Sequence, residues 1–341
     1  MTARGMAQRR AATRVATALV LGTLLVSSAH GQQRPVFRAD IGIVMLDATV
    51  KNARGEVVTN LDRAAFTVYE NGKAQAVTLF RRDDAPVSLG IALDNSGSMR
   101  RKRTSVEAAA LALVRASNPQ DEVFVLNFAD KTSIDVPFTR DTRALEAGVA
   151  RIDSIGGTAL RDAIAAGESY LTAHGVHERK ALLVVTDGSD NASVSSREQV
   201  REEAKRSRIV IHFIGLLGDE DEGKAKHARN ELDELAEETG GLAYYPQALE
   251  EVGAIALDLA RQIRCQYTIA YSPDKQTLDG SYRKIRVVAK GPGRLSVRTR
   301  AGYRAVPTER PGHEDVRPGA NTGEVRSPTL AGRSTTKENE R

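Results

Sequence analysis

The strongest constraint on the fold is a regular alternation of short apolar runs and amphipathic segments between residues 87 and 262. Runs rich in Val, Ile and Leu that are separated by helices are typical of a mostly parallel sheet with helices on both faces. We therefore predict a doubly wound α/β domain over residues 87–262. The predicted strands are Val87–Leu93, Glu122–Phe128, Lys180–Thr186 and Ile209–Leu216, and the predicted helices are Lys102–Ala116, Thr142–Ile152, Ala159–Ala173, Ser196–Ser207, Ala225–Thr239 and Leu249–Arg264.

The segment before this domain, residues 36–86, has the pattern of β-strands. A largely apolar run extends from Ile41 to Val50, and a second strand is predicted at Phe66–Tyr69. Asn71-Gly72 favours a type I′ hairpin, from which we expect Val77–Phe80 to return.

A second group of strands follows the domain, in residues 265–304, at Gln266–Ser272, Tyr282–Ala289 and Leu295–Arg300. The first strand and last helix of a doubly wound domain can bring the two chain ends close together. We therefore predict that 36–86 packs with 265–304 in one flanking β-sandwich-like module of about seven strands. Two independent units of about 50 and 40 residues are the alternative, but without disulfides each would be marginally stable.

The two ends of the chain differ in composition from the segments between them. Arginines, with no acidic residue, precede an apolar stretch of about 12 residues, Val15–Val26, which is short for a membrane span. The small residues Ser27 and Ala29 indicate cleavage after Ala29, so residues 1–29 predict a signal peptide and an exported, periplasmic or secreted protein. An uncleaved membrane anchor is the alternative. Residues 305–341 are polar and rich in Pro and Gly, which predicts a disordered tail.

The basic balance of the chain does not indicate a nucleic-acid partner. Four of the 49 basic residues lie in the predicted signal peptide, so its removal leaves 45 basic residues against 44 acidic ones. Trp is absent and aromatic residues make up only 4%, which argues against a stacking groove for single strands. The single cysteine, Cys265, excludes an internal disulfide.

Three segments of the central domain carry side-chain oxygen atoms that we expect to lie at the same edge of the predicted sheet. Asp94, Ser96 and Ser98 alternate in the loop after the first strand, and Thr158 follows Gly156-Gly157 at the start of a helix. Asp187 follows the strand Lys180–Thr186. Because ligands bind outside the carboxyl ends of parallel strands, we expect these five side chains to face one point. Oxygen-only ligands suit a hard cation such as Mg²⁺, with Mn²⁺ or Ca²⁺ as alternatives.

This pattern resembles the metal-ion-dependent adhesion site (MIDAS) of von Willebrand factor A domains, which integrin inserted domains share. The resemblance covers about residues 87–262. It implies that Ser96 and Ser98 contact the metal directly, that Thr158 coordinates in the ligand-bound form, and that Asp94 and Asp187 act mostly through water. The flanks are similar to a secreted A-domain subgroup known mainly from acidobacteria, through Leu61–Lys73, Arg283-Lys284-Ile285 and Arg300-Ala301-Gly302-Tyr303.

A metal held by neutral hydroxyls stays electrophilic and keeps a position open, so binding is favoured over catalysis. We expect the partner to be a protein that presents an Asp or Glu, with membrane contact only through that partner or an uncleaved signal. A structural envelope scaffold is the alternative, and a metal-dependent hydrolase is less favoured because no histidine falls in the three loops. Asn95, Asp162 and Asp190 are expected at the rim or behind the ligands.

Overall fold

The computed structural model describes residues 42–82, 84–150, 156–188 and 190–306, apart from the side chain of Asp219. The predicted signal peptide and the predicted tail beyond residue 306 lie outside the described residues. Within the described ranges, no helix is long and apolar enough to cross a membrane.

Four strands precede the central domain: β1 (Val44–Lys51), β2 (Phe66–Glu70), β3 (Lys73–Gln75) and β4 (Val77–Arg81). Asn71 and Gly72 have φ angles of 48° and 84° and close the predicted tight hairpin. The strand that returns from it is β3, which pairs Lys73 with Glu70. The expectation that Val77–Phe80 returns from this turn is therefore wrong. A two-residue turn pairs the residues that follow it at once, and the chain leaves this sheet at Ala76 before β4 enters another.

The central domain contains every helix and strand that its sequence pattern predicts, with ends shifted by a few residues. Two further strands, β7 and β10, were not predicted. Pro137 interrupts the pattern of β7, which suits an edge strand, and β10 is only two residues long. In chain order the elements are β5 (Val87–Asp94), α1 (Arg103–Ala116), β6 (Glu122–Phe128), β7 (Thr132–Thr139), α2 (Thr142–Ala150), α3 (Leu160–His174), β8 (Arg179–Thr186), α4 (Arg197–Arg206), β9 (Val210–Gly215), α5 (Glu222–Thr239), β10 (Ala243–Tyr244) and α6 (Glu251–Arg264).

These strands form one six-stranded sheet in the order β10-β9-β8-β5-β6-β7, which is parallel except for β7. Every residue of β5 is buried. Its Leu89 and Ile91 pack with α1 and α6, while Ala92 packs on the opposite face with α3 and α5. A Cβ atom on Gly90 would lie 2.5 Å from the Phe124 ring, so the strand needs glycine there. The predicted doubly wound α/β fold is confirmed.

Four strands follow the central domain: β11 (Tyr267–Tyr271), β12 (Tyr282–Ala289), β13 (Ser296–Arg298) and β14 (Gly302–Arg304). They join the first four in two sheets, ordered β13-β1-β11-β4 and β14-β12-β2-β3. Strands from both flanks share one apolar core, which includes Phe66, Val68 and Ile269. The predicted β-sandwich-like module is confirmed with eight strands in the described residues; the short β14 was not predicted.

The module lies against the amino ends of the parallel strands. The chain passes from β4 into β5 and from α6 into β11 at this edge. Arg179, the first residue of β8, is 3.4 Å from Asp47 and donates to the Thr268 hydroxyl at 2.8 Å. Arg300 donates to the carbonyl of Ser207 at 2.9 Å. The carboxyl ends of the strands, where ligands bind in such sheets, are therefore at the edge opposite the module.

Glu168 on α3 should make stability fall as the pH rises. It is 2% exposed, its Oε1 accepts from Ser207 at 2.6 Å, and its Oε2 has no partner among the described residues. Burial raises its pKa from 4.5 to about 7. Between these values the folded state holds the proton more tightly, so stability is lost as the pH rises through the window.

We expect the stability difference between Glu168→Gln and wild type to move in favour of the variant between pH 5 and pH 8, by on the order of 3 kcal/mol. Urea unfolding at several pH values measures this difference. A difference that stays constant across the window would contradict the assignment.

Candidate metal centre

Two neighbouring strands place the two predicted aspartates side by side. Asp94 is the last residue of β5, and Asp187 directly follows β8. The two strands are parallel neighbours, with Leu93 opposite Val185. Asp94 is 2% exposed and Asp187 is fully buried. Each strand therefore delivers one carboxylate to the same point of the carboxyl edge.

Both carboxylate oxygens of Asp94 accept hydrogen bonds. Oδ1 accepts from the backbone N–H of Ser96 at 2.9 Å, and Oδ2 accepts from the Thr186 hydroxyl at 2.6 Å. Burial raises the pKa of Asp94 to about 6, although the hydrogen bonds from Thr186 and Ser96 oppose this shift. These bonds fix the carboxylate behind the loop that carries the two serines.

The two serine hydroxyls lie next to each other and reach the second aspartate. Ser96 Oγ is 3.1 Å from Ser98 Oγ, and Ser98 Oγ donates to Asp187 Oδ1 at 2.8 Å. A short 3₁₀ turn, Gly97–Arg101, follows and leads into α1. The structure thus brings four of the five predicted residues into one connected set of hydrogen bonds.

Thr158, the fifth predicted residue, lies in a loop that forms hydrogen bonds with the serine loop and with the segment that follows Asp187. Gly97 donates its N–H to the carbonyl of Gly156 at 3.3 Å, which joins the Thr158 loop to the serine loop. The side chain of Asn191 accepts from the Thr158 N–H at 2.8 Å, and the Asn191 N–H donates to the Thr158 carbonyl at 3.1 Å. Thr158 is 4% exposed.

Asp130, which sequence reasoning missed, holds the glycine pair before Thr158. Its Oδ1 accepts from the Gly157 N–H at 2.7 Å. A Cβ atom on Gly156 would lie 2.3 Å from Asp130 Oδ2, and Gly156 also has a φ of 97°. The glycine pair signals a close approach, but nothing near it in the sequence identifies Asp130 as the approaching group.

Lys102 is the second residue that sequence reasoning missed. Its Nζ donates to Asp187 Oδ2 at 2.9 Å and to the Leu216 carbonyl at 3.2 Å. The side chain is only 8% exposed. A lysine just before an amphipathic helix is usually solvated, so the local sequence gives no signal for this buried contact.

Of the three residues expected at the rim or behind the ligands, Asp162 and Asp190 hold neighbouring backbone. Asp162 accepts from the backbone N–H groups of Val194 and Ser195, each at 2.9 Å. Asp190 accepts from the Arg161 N–H at 2.8 Å at the start of α3. Both carboxylates thus hold the segment after β8 against α3. Asn95 is 8% exposed, and its Oδ1 has no partner in the described part of the chain.

The donor set fits a hard divalent cation. Two hydroxyls, two carboxylates and the Thr158 loop supply oxygen atoms only, which is the chemistry that Mg²⁺ and Ca²⁺ prefer. No group of three or more His, Cys, Asp or Glu residues in the described ranges is arranged to hold a metal. The candidate site has two carboxylates, so its remaining ligands would be hydroxyl oxygens.

Residues 89–189, which carry all five candidate ligands, match the family model described as von Willebrand factor type A domain. The central domain therefore contains a match to the von Willebrand factor type A family over residues 89–189. The family model spans β5 to the residues just beyond Asp187 and does not reach the flanking strands.

Several solved structures are similar to this chain. An aerotolerance-related membrane protein from Bacteroides fragilis has 20% identity and a TM-score of 0.42, with coverage of 52% of this chain and 98% of that one. A von Willebrand factor type A protein from Catenulispora acidiphila has 12% identity and a TM-score of 0.47, with coverage of 80% and 75%. The von Willebrand factor domain of the pilus tip protein Mfa5 from Porphyromonas gingivalis has 14% identity and a TM-score of 0.45, with coverage of 52% and 95%. No curated protein matches the chain significantly.

Proposed function

We propose that this chain is an exported binding protein whose A domain captures an acidic residue of a partner protein through Mg²⁺. The ion would be held by Ser96, Ser98 and Thr158, with Asp94 and Asp187 behind them. The observation that carries the proposal is the connected set of hydrogen bonds from Asp94 through the serines to Asp187. Von Willebrand factor A domains are generally modules of adhesion and protein interaction.

The chemistry of the donors favours an open coordination sphere. Mg²⁺ binds six oxygen ligands and usually keeps several waters. Ser96 and Ser98 are neutral, and each aspartate oxygen already accepts a hydrogen bond from within the chain. An ion bound here would keep much of its positive charge, so a carboxylate from a partner is a well-suited additional ligand.

Binding is favoured over hydrolysis because neither carboxylate of the candidate site is available as a general base. The carboxylates of Asp94 and Asp187 are both committed to donors within the chain. Lys102 is itself a donor to Asp187. Hydrolysis at the metal would need a base in contact with the attacking water.

The module leaves the candidate site free of its own strands. It lies at the amino edge of the parallel sheet, through contacts such as Arg179 with Thr268 and Arg300 with Ser207. Asp94 and Asp187 lie at the carboxyl edge. This arrangement supports the proposed role because a partner could approach the metal face without displacing the module.

The metal is tested by calorimetric titration of MgCl₂ and MnCl₂ into wild type and Ser96→Ala/Ser98→Ala. The double substitution removes two neutral ligands and leaves no buried charge unpaired, so it should fold and lose affinity by on the order of 100-fold. Ser133→Ala, at an exposed serine of β7, is the matched control and should bind like wild type. Equal binding by the double variant would exclude these serines as ligands.

The partner is tested with the immobilised protein and native envelope extract. A metal-bridged partner should bind in Mg²⁺ and be released by EDTA, and it should not bind to the Ser96→Ala/Ser98→Ala protein. A partner that binds equally in EDTA would contradict the bridging role and favour the scaffold alternative.

A further inference from the structure

The candidate metal site contains a cation that belongs to the chain itself. Lys102 Nζ lies 2.9 Å from Asp187 Oδ2, on the carboxylate whose other oxygen accepts from Ser98. The side chain of Lys102 is 8% exposed, and that of Asp187 is 0% exposed. Buried lysines are rare because an ammonium loses its hydration, so a buried one next to a metal site needs a reason.

The local fold delivers this ammonium to the site. Ser98 lies in the 3₁₀ turn Gly97–Arg101, and the N–H of Lys102, the next residue, donates to the Met99 carbonyl at 2.9 Å. Lys102 then accepts from Val106 N as α1 begins. The Leu216 carbonyl, at the end of the neighbouring strand, is a second acceptor for Nζ at 3.2 Å. The ammonium is therefore held in place by two acceptors, one after β8 and one after β9.

We propose that Lys102 is a specificity-determining residue that lowers the affinity for the divalent ion and makes the loaded site select anionic over neutral ligand groups. This inference rests on the proposed metal-bridging function. The Lys102 ammonium contacts the carboxylate of Asp187, which is also proposed to hold the ion. Lys102 therefore adds one positive charge close to the ion.

One physical cause gives both effects. A like charge a few ångströms away, in a site that is largely buried, raises the free energy of the bound cation. The same charge attracts a carboxylate that arrives as a further ligand, whereas a neutral amide or hydroxyl gains little from it. If Lys102 served only to neutralise Asp187, its removal would lower stability and leave the preference between carboxylate and amide unchanged.

The test uses Lys102→Gln, which removes the charge and keeps a hydrogen-bond donor for Asp187. Mg²⁺ affinity is measured by calorimetry. Ligand preference is measured on the Mn²⁺-loaded protein, from the change in water proton relaxation when N-acetyl-Gly-Asp-Gly-amide or its Asn counterpart is added. We expect Lys102→Gln to bind Mg²⁺ at least about tenfold more tightly and to lose about tenfold of its preference for the Asp peptide.

Two control variants separate charge from fold. Arg101→Gln removes an equal charge from the adjacent exposed position and should change either value less than twofold. Lys102→Arg retains the charge and should behave like wild type. An unchanged Mg²⁺ affinity or peptide preference in a folded Lys102→Gln protein overturns the inference. If Ser96→Ala/Ser98→Ala still loses the metal in that case, the proposed function stands alone; if wild type binds no metal, both fall.

Discussion

Asp187→Ala should abolish Mg²⁺ binding and also destabilise the fold by about 3 kcal/mol. The substitution removes a candidate ligand and, at the same time, the carboxylate to which the buried Lys102 donates. It also removes the acceptor of the Ser98 hydroxyl. Calorimetric titration measures the loss of the metal, and urea unfolding in EDTA measures the loss of stability in the absence of divalent ions.

A second substitution separates the two consequences. Asp187→Ala/Lys102→Met removes both members of the ion pair and should recover most of the lost stability, because no buried ammonium is left without this carboxylate. It should not recover metal binding. The stabilities of the two single variants and the double variant complete a cycle. Additive stability changes would contradict a coupled pair, and metal binding by Asp187→Ala would exclude Asp187 as a ligand.

Glu70→Ala should be among the most destabilising single substitutions in the β module, by about 3–5 kcal/mol. The Glu70 Oε2 accepts from the Tyr271 hydroxyl at 2.7 Å and from the Tyr303 hydroxyl at 2.9 Å. The guanidinium of Arg283, which is 1% exposed, lies 3.5 Å from Oε1. Removal of the Glu70 carboxylate leaves the buried guanidinium of Arg283 and the two tyrosine hydroxyls without the acceptor that they share.

This network joins strands from both flanks, since Glu70 lies on β2 and Tyr271, Arg283 and Tyr303 lie on β11, β12 and β14. Glu56→Ala, at an exposed glutamate of the same module, is the matched control and should stay within about 0.5 kcal/mol of wild type. Thermal unfolding of the three proteins measures the effect. An equal loss in Glu70→Ala and Glu56→Ala would show that the network contributes little.

The proposed metal function and the stability of the module can be tested independently. Residues of the Glu70 network lie in the module at the amino edge of the sheet, whereas Asp94 and Asp187 lie at the carboxyl edge. We expect metal affinity to remain unchanged in any Glu70 variant that stays folded. A variant of Asp187 should show the opposite pattern, with the module intact and the metal lost.

Local sequence patterns were enough to predict the fold class of this protein. Apolar runs of strand length between amphipathic helices can bury both faces only in a helix-covered parallel sheet. As this requires, β5 is buried throughout and β8 is buried at every position except Lys180. The same logic predicted that Asp94 and Asp187 lie at one edge of the sheet, because the carboxyl ends of parallel strands share that edge. Only the structure shows that their strands are direct neighbours. Periodicity and turn chemistry are properties of consecutive residues, so the sequence expresses them directly.

Only the tertiary structure decided which distant groups meet. The chain changes sheets at Ala76, so β4 pairs with β11 and not with the hairpin, although Val77–Phe80 has an ordinary strand pattern. Lys102 meets Asp187 across 85 residues, and Asp130 meets Gly157 across 27. Asp162 accepts from the backbone of Val194 and Ser195, across 32 and 33 residues. Such encounters depend on how whole elements pack, and no spacing within one segment encodes them.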